Sequence, residues 1–181
     1  MMPKSATADL GGFPQENATT ERLWSEAAGT APLSPVVTVA PDIVATARLV
    51  VETGGRGFTE ITREVARFIA EAEAKDGALF VFMRHTSASL IIQENADPDV
   101  RTDLATALDR LAPADAGWVH DVEGPDDMPA HVKTMLTGVS LHVPVMDSAL
   151  ALGTWQGIYV CEHRSSPHRR EIVLQFVGSR R

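Results

Sequence analysis

Along this chain the apolar positions switch between alternating and helical spacing, and each switch marks an element. Thr46 to Thr53 reads as a strand that Gly54 and Gly55 end. Thr62 then fits a helix N-cap, with Val65, Phe68, Ile69 and Ala72 following at helical spacing. Asp76–Gly77 suggests a turn into a buried strand over Ala78 to His85, and Ser87 to Glu94 makes a second strand. One strand over all of 78–94 would far exceed the usual length, so a break is expected near Thr86–Ser87. Asp97–Pro98 starts a helix with a capping carboxylate and a first-turn proline. Val100, Leu104, Ala107, Leu108 and Leu111 form its apolar stripe, and Pro113 stops it. A polar connection from Asp121 to Asp127 leads to a third helix from about Met128, closed by Gly138. The remaining strands are Val139 to Val145, Gly153 to Arg164 and Arg169 to Val177, with a turn at Ser165–Ser166–Pro167.

Three helices among runs of antiparallel hairpins predict an α+β fold, a mainly antiparallel sheet or sandwich rather than a doubly wound one. That domain occupies residues 45–181. Before it no period is sustained, and the residues are rich in Ala, Thr, Ser, Pro and Gly. Residues 1–44 therefore read as a flexible N-terminal extension, in which Arg22 to Ala28 offers a short helix and Trp24 an anchor for a neighbour.

Some polar residues fall where the apolar pattern calls for core. Leu79, Val81, Met83 and His85 share one strand face, and Ala88, Leu90, Ile92 and Glu94 share another, so His85 and Glu94 each end a core row. On the third helix Met128, His131, Val132, Met135 and Leu136 make one stripe, which puts His131 on the buried side. His120 alternates with Trp118 and Val122. Three imidazoles and a carboxylate at the rims of apolar surfaces describe a concave site. Read singly, each histidine is a part-buried side chain satisfied by a local hydrogen bond. Read together, His85, His120 and His131 are candidate ligands for a divalent metal, zinc first.

Composition narrows the function classes. The 181-residue chain is 44% hydrophobic and 22% charged, which suits a soluble globular domain. Its apolar runs are too short to span a bilayer, so no membrane is expected. A formal net charge of −8 argues against a general nucleic-acid binder, although a local arginine cluster can still hold a small phosphorylated substrate. With one cysteine, Cys161, the chain forms no internal disulfide, and the N-terminus has no apolar signal core, which together predict the cytoplasm. His163, Arg164, His168, Arg169 and Arg170 gather around the last turn, either to grip phosphate or to protect an edge hairpin with charge. Gly153–Thr154–Trp155–Gln156–Gly157 is unusual in a strand region and marks a bulge or a close approach to a ligand, with Trp155 free to stack on a ring or to pack in the core.

Three segments carry a resemblance. His85 to Leu104 (HTSASLIIQENADPDVRTDL), Pro129 to Val145 (PAHVKTMLTGVSLHVPV) and Leu152 to Arg170 (LGTWQGIYVCEHRSSPHRR) resemble the signature of the YjbQ-like proteins, also described as secondary thiamine-phosphate synthases. The likeness covers residues 45–181 and implies a mainly antiparallel α+β domain assembled as a homotrimer. It further implies a weak transfer activity that joins hydroxymethylpyrimidine diphosphate to a thiazole phosphate and releases diphosphate. The family's histidines match His85, His120 and His131, and its acidic, amide and arginine positions match Glu94, Asn95, Gln156 and Arg170.

The chemistry expected on that basis gives each residue a task. Glu94, His85 and His131 are the candidate catalytic groups, Glu94 as acid/base or as a metal ligand. Trp155 stacks on the pyrimidine while Asn95 and Gln156 bind the substrate. Arg164, Arg169, Arg170 or a divalent metal, with magnesium suited to the diphosphate, meets the leaving group. Two other classes fit the same residues: a metal-dependent hydrolase of a small phosphorylated or ester substrate, and a non-enzymatic trimeric binding protein.

Overall fold

The structure is a computed structural model that describes residues 33–181. The readings on residues 1–32, including the Arg22–Ala28 helix and Trp24, lie outside the described residues. The chain divides into two units, Met1–Val37 and Thr38–Arg181, and the second holds every helix and strand of the described residues.

In chain order the elements are β1 (Ile43–Thr53), β2 (Gly57–Glu60), α1 (Thr62–Glu71), β3 (Ala74–Met83), β4 (Ala88–Glu94), α2 (Pro98–Leu111), α3 (Asp127–Thr137), β5 (Ser140–Met146), β6 (Ala149–Leu150), β7 (Gln156–Glu162) and β8 (His168–Arg180). They build two antiparallel sheets, one of five strands in the order β1-β8-β3-β5-β6 and one of three in the order β2-β7-β4. The predicted α+β class is what the fold shows. None of the described helices is long and apolar enough to cross a membrane.

Strand alternation makes the core. Leu79, Val81 and Met83 of β3 face inward with Val143 and Val145 of β5 and Ile172, Leu174 and Phe176 of β8. Against them lie Leu90 of β4, Ile158 and Val160 of β7, and Val65, Phe68 and Ile69 of α1. The other face of the small sheet is also covered, because α3 packs on β4 and α2 on β2. Six consecutive β7 residues, Gly157 to Glu162, are therefore buried, with Tyr159 and Cys161 outside the cluster that holds Ile158 and Val160. Burial pushes the Cys161 thiol up to about 12, despite a hydrogen bond with Ser89, so this lone cysteine is an inert packing residue.

The inward row of β8 ends in a charge. Arg170 precedes Ile172, Leu174 and Phe176 on the same face and is 2% exposed. Its Nε and Nη2 donate to Glu162 Oε2 and Oε1 at 2.7 and 2.6 Å, a bidentate pair between the two sheets. Thr53 Oγ1 donates to Glu162 Oε2 at 2.9 Å, and Arg164 N donates to Oε1 at 3.0 Å. The end of the sandwich is thus closed by a satisfied polar plug.

Several local expectations change. The reversal before β3 is at Ala72–Glu73, where Glu73 takes φ 51, and not at Asp76–Gly77, which sits inside the strand at a shift of register. Thr62 is the first helical residue and not the cap; its hydroxyl donates to Glu60 and accepts from Ile158 N. On α2 Leu104 and Leu108 are half-buried, while Leu111 is exposed. The α3 stripe is out of phase: Ala130, Lys133 and Thr134 are buried, and Met135 and Leu136 face outward. The strand predicted from Gly153 to Arg164 is confined to β7. Other expectations hold, among them the break before Ala88 and the Asp97 cap, whose Oδ1 accepts from Asp99 N at 2.8 Å.

Candidate functional site

Helix α3 places Asp127 and His131 one turn apart on one face, because residues four apart in an α-helix are neighbours. The connection between α2 and α3 returns His120 to the same spot. His120 Nε2 lies 2.9 Å and His131 Nε2 3.3 Å from Asp127 Oδ2, and the two rings are 5.7 Å apart between centroids. One atom from each of the three falls within 4.8 Å of the others. Asp127 is buried, while His120 is exposed and His131 half-buried.

Neighbours fix this carboxylate. Arg164 Nη1 bonds Asp127 Oδ1, and its Nη2 donates to Glu123 O at 2.7 Å. Asp126 accepts from Ser165 N and Ser165 Oγ, each at 2.7 Å, and lies 3.4 Å from Arg164 Nε. Burial would raise the Asp126 carboxyl, but the Ser165 bonds and Arg164 hold it down to about 2. Glu123, Asp126 and Asp127 together outnumber the one guanidinium among them, so the locality favours a cation.

The donor set can be tested against zinc. Ligands about 2.0–2.1 Å from the ion at tetrahedral corners stand roughly 3.3 Å apart. The 2.9 and 3.3 Å separations at Asp127 are close to that, and two imidazoles with one carboxylate leave a coordination position open. His131 Nδ1 bonds Thr86 O at 3.0 Å, the carbonyl support that commonly orients a ligating histidine. The residues fit the ion.

The other expected residues are distributed elsewhere. His85 lies beyond the end of β3, exposed and outside the group of three; its Nδ1 is engaged by Ser87. Glu94 is at the far end of β4, opposite Gln156, six residues from Ala88 and so roughly 20 Å away along a strand. The carboxylate beside the imidazoles is Asp127. Gln156 Oε1 accepts from Gly153 N at 2.8 Å, so it closes its own loop. Asn95 N donates to Trp155 O at 3.0 Å, and Trp155 stands 65% exposed rather than in the core. Arg170 is committed to Glu162 inside the sandwich, Arg164 to Asp127, and Arg169 pairs with Glu52 at 3.5 Å on the surface. No diphosphate grip made of these three arginines is assembled within the described residues.

Sequence reasoning misses Asp127, although a signal is present: it precedes His131 by four residues. A helix started at Met128 instead of Asp127 hides that spacing. His163, grouped with the turn residues, belongs to the interior. It is 3% exposed and its Nε2 bonds Ser89 Oγ at 2.8 Å. Burial first, then Lys133, lowers its pKa from 6.5 to about 4, so the folded protein holds it neutral. The unfolded chain binds more protons between those values, and stability falls as pH drops through that window. In urea titrations from pH 7 to 4 the His163→Gln variant should lose much of that slope; an unchanged slope would show that another group causes it.

Comparison with known proteins places residues 47–179 in a family described as UPF0047 protein YjbQ-like. UPF0047 protein sll1880 of Synechocystis is 47% identical over 131 residues, spanning 72% of this chain and 89% of that protein. UPF0047 protein YjbQ of Escherichia coli O157:H7 is 39% identical over 131 residues, 72% of this chain and 95% of its own. A YjbQ/UPF0047 family protein from Clostridium acetobutylicum superposes with a TM-score of 0.68 at 36% identity, covering 72% of this chain and 98% of that one. The conserved hypothetical protein TT1486 of Thermus thermophilus gives 0.65 at 36% identity, with coverage of 72% and 98%.

Proposed function

Since this chain belongs to the YjbQ-like UPF0047 family, we propose that it is an enzyme acting on a small phosphorylated substrate at a divalent cation, zinc first, held by His120, Asp127 and His131. The observation that carries this reading is the bonding of His131. A carbonyl oxygen only accepts, so Nδ1 beside Thr86 O is the protonated nitrogen. In the neutral ring Nε2 is then a bare lone pair, and it faces an oxygen of a carboxylate at 3.3 Å. Two acceptors at that range call for a positive charge between them, and a metal ion supplies one.

Such an ion lends Lewis acidity to a phosphoryl oxygen and offsets charge on a departing diphosphate. The chain's own residues do the rest. Arg164 fixes the rotation of Asp127, Thr86 fixes the ring of His131, and the α2–α3 connection brings His120. The reaction assigned is the thiamine-phosphate synthase type, in which the thiazole nitrogen bonds to the pyrimidine methylene carbon as its bond to diphosphate breaks. A metal-dependent hydrolase is the second reading. It is favoured by the pairing of Arg164, Arg169 and Arg170 with carboxylates, since a simple phosphate ester asks less of free guanidinium groups than a diphosphate does.

The assembly proposed is a homotrimer in the cytoplasm. The outward face of the large sheet exposes Val50, Phe80 and Phe82, apolar side chains suited to a subunit contact.

Metal analysis of protein purified without chelators should find stoichiometric zinc, and Asp127→Asn and His131→Ala should each weaken zinc by more than about 100-fold, beyond the usual effect of a supporting residue. Unchanged zinc in both variants removes the cation. Incubation with the two substrates should yield thiamine phosphate; turnover of generic phosphate esters alone selects the hydrolase.

A further inference from the structure

We propose that His85 is a catalytic hydrogen-bond donor, a neutral imidazole locked as its Nε2–H tautomer that presents this N–H to an anionic oxygen of the substrate, and is neither a metal ligand nor a base. Its ligand rests on the phosphorylated substrate read above; its tautomer does not. Ser87 N donates to His85 Nδ1 at 3.1 Å. A backbone N–H only donates, so Nδ1 is a bare lone pair. Ser87 Oγ lies 3.1 Å from the same nitrogen and accepts from Arg170 Nη2 at 3.3 Å, which leaves the hydroxyl proton for Nδ1. Arg170 is itself held by Glu162. Donation thus runs one way, from the buried ion pair through Ser87 to His85.

A neutral ring with a bare Nδ1 carries its proton on Nε2. Moving that proton to Nδ1, or adding a second, would set N–H against N–H. Burial and Arg170 add to this, lowering the affinity of the ring for a proton. Among the described residues Nε2 bonds no protein group.

His85 and His131 therefore have opposite tautomers. His131 offers a lone pair, which suits a cation; His85 offers an N–H, which suits an anion. They stand on either side of Thr86. His85 lines a hollow of about 400 Å³ with Thr86 and Val139, and His131 lines a second of about 400 Å³ with the same two residues. A small phosphorylated molecule lying across Thr86 can place one oxygen at the cation cluster and another at His85. Neutral imidazole donors are effective electrophiles, and a preorganised N–H stabilises charge that builds on a leaving oxygen. The sequence expectation that His85 ligates the metal is replaced, because its outward nitrogen has no lone pair.

The test is nitrogen-15 NMR of histidine-labelled full chain, first stripped of bound metal with a chelator that is then removed, at a pH well above the ordinary imidazole value, with His85 assigned through His85→Gln. Before any addition His85 should show a bare Nδ1 and a protonated Nε2. Zinc should move the His120 and His131 signals and leave His85 in place; inorganic diphosphate added next should move its Nε2–H. His85→Ala should weaken diphosphate by about 10-fold or more, and His85→Gln, which keeps a donor, should stay within about threefold. A protonated Nδ1, a zinc shift at His85 like that at His131, or a correct tautomer that ignores diphosphate overturns the proposal. If zinc moves no histidine, the cation reading falls and His85 is still judged on its tautomer and on diphosphate.

Discussion

Arg170→Ala is expected to destabilise the fold by about 3–5 kcal/mol, the usual cost of breaking a buried ion pair from one side. The loss is large because Glu162 would stay behind, 2% exposed, with its charge uncompensated between two sheets. In the intact protein burial pushes the Glu162 carboxyl up, but the hydrogen bonds from Arg170, Arg164 N and Thr53, with the charge of Arg170, together outweigh it and hold the value below the ordinary one. A carboxylate lowered in the folded state contributes stability above its unfolded value and loses it as pH falls through the folded one. The variant should therefore also begin acid unfolding at higher pH. Arg169→Ala, one residue away and paired with Glu52 in solvent, should change stability by no more than about 0.5 kcal/mol. Replacing Glu162 and Arg170 together by methionine should recover most of the loss. Urea unfolding of these variants gives the comparison. An Arg170→Ala chain as stable as the parent would mean the pair carries no weight, and would return Arg170 to the substrate-binding candidates.

Gly178→Ala should cost about 3 kcal/mol, at the upper end for overpacking a core. Gly178 is the register partner of Gly77 where β8 crosses β3. A Cβ at Gly178 would lie 2.2 Å from Asp76 O and 2.8 Å from Gly77 Cα, and one at Gly77 would lie 2.3 Å from Val177 O. The Phe176 ring would also lie 2.5 Å from the Gly178 Cβ, but even if it turned aside the two backbone obstacles would remain. Gly54→Ala, where a Cβ would meet nothing within 4 Å, should be neutral or slightly stabilising. Equal melting temperatures for the two alanine variants would show that the strands separate there at little cost.

Legibility in the chain depended on whether a residue answered to local rules. Leu79, Val81 and Met83 alternate because one face of β3 meets the core, and the Asp97–Pro98 start follows from capping alone. The phase of α3 is not local in that sense. Its buried side includes Lys133, which looks like a surface residue until Asp109 of α2 is placed beside it. With Lys133 assigned to solvent, Met135 and Leu136 turn inward and Asp127 falls outside the helix. Arg170 misleads for the same reason, since only its pairing with Glu162 makes its burial tolerable. Of the site, His120 and His131 are legible in the sequence as candidate ligands, but only within a trio that includes His85. The convergence of His120 with His131 and the separation of Glu94 from them require the third dimension, whereas the Asp127–His131 spacing is present in the sequence and hidden only by the late helix start.

The double burial of β7 bears on how the chain finds its correct alignment during folding. Most strands are indexed by alternation, since a slip of one residue would turn apolar side chains to water. Here a slip exchanges Ile158 and Val160 for Tyr159 and Cys161, and neither layer is penalised by hydrophobicity alone. Alignment must then be set by polar fiducials: the Tyr159 hydroxyl donating to Glu94 O at one end, and Glu162 meeting Arg170 at the other. Loss of both would leave a strand equally greasy on either side and free to settle one notch out of step.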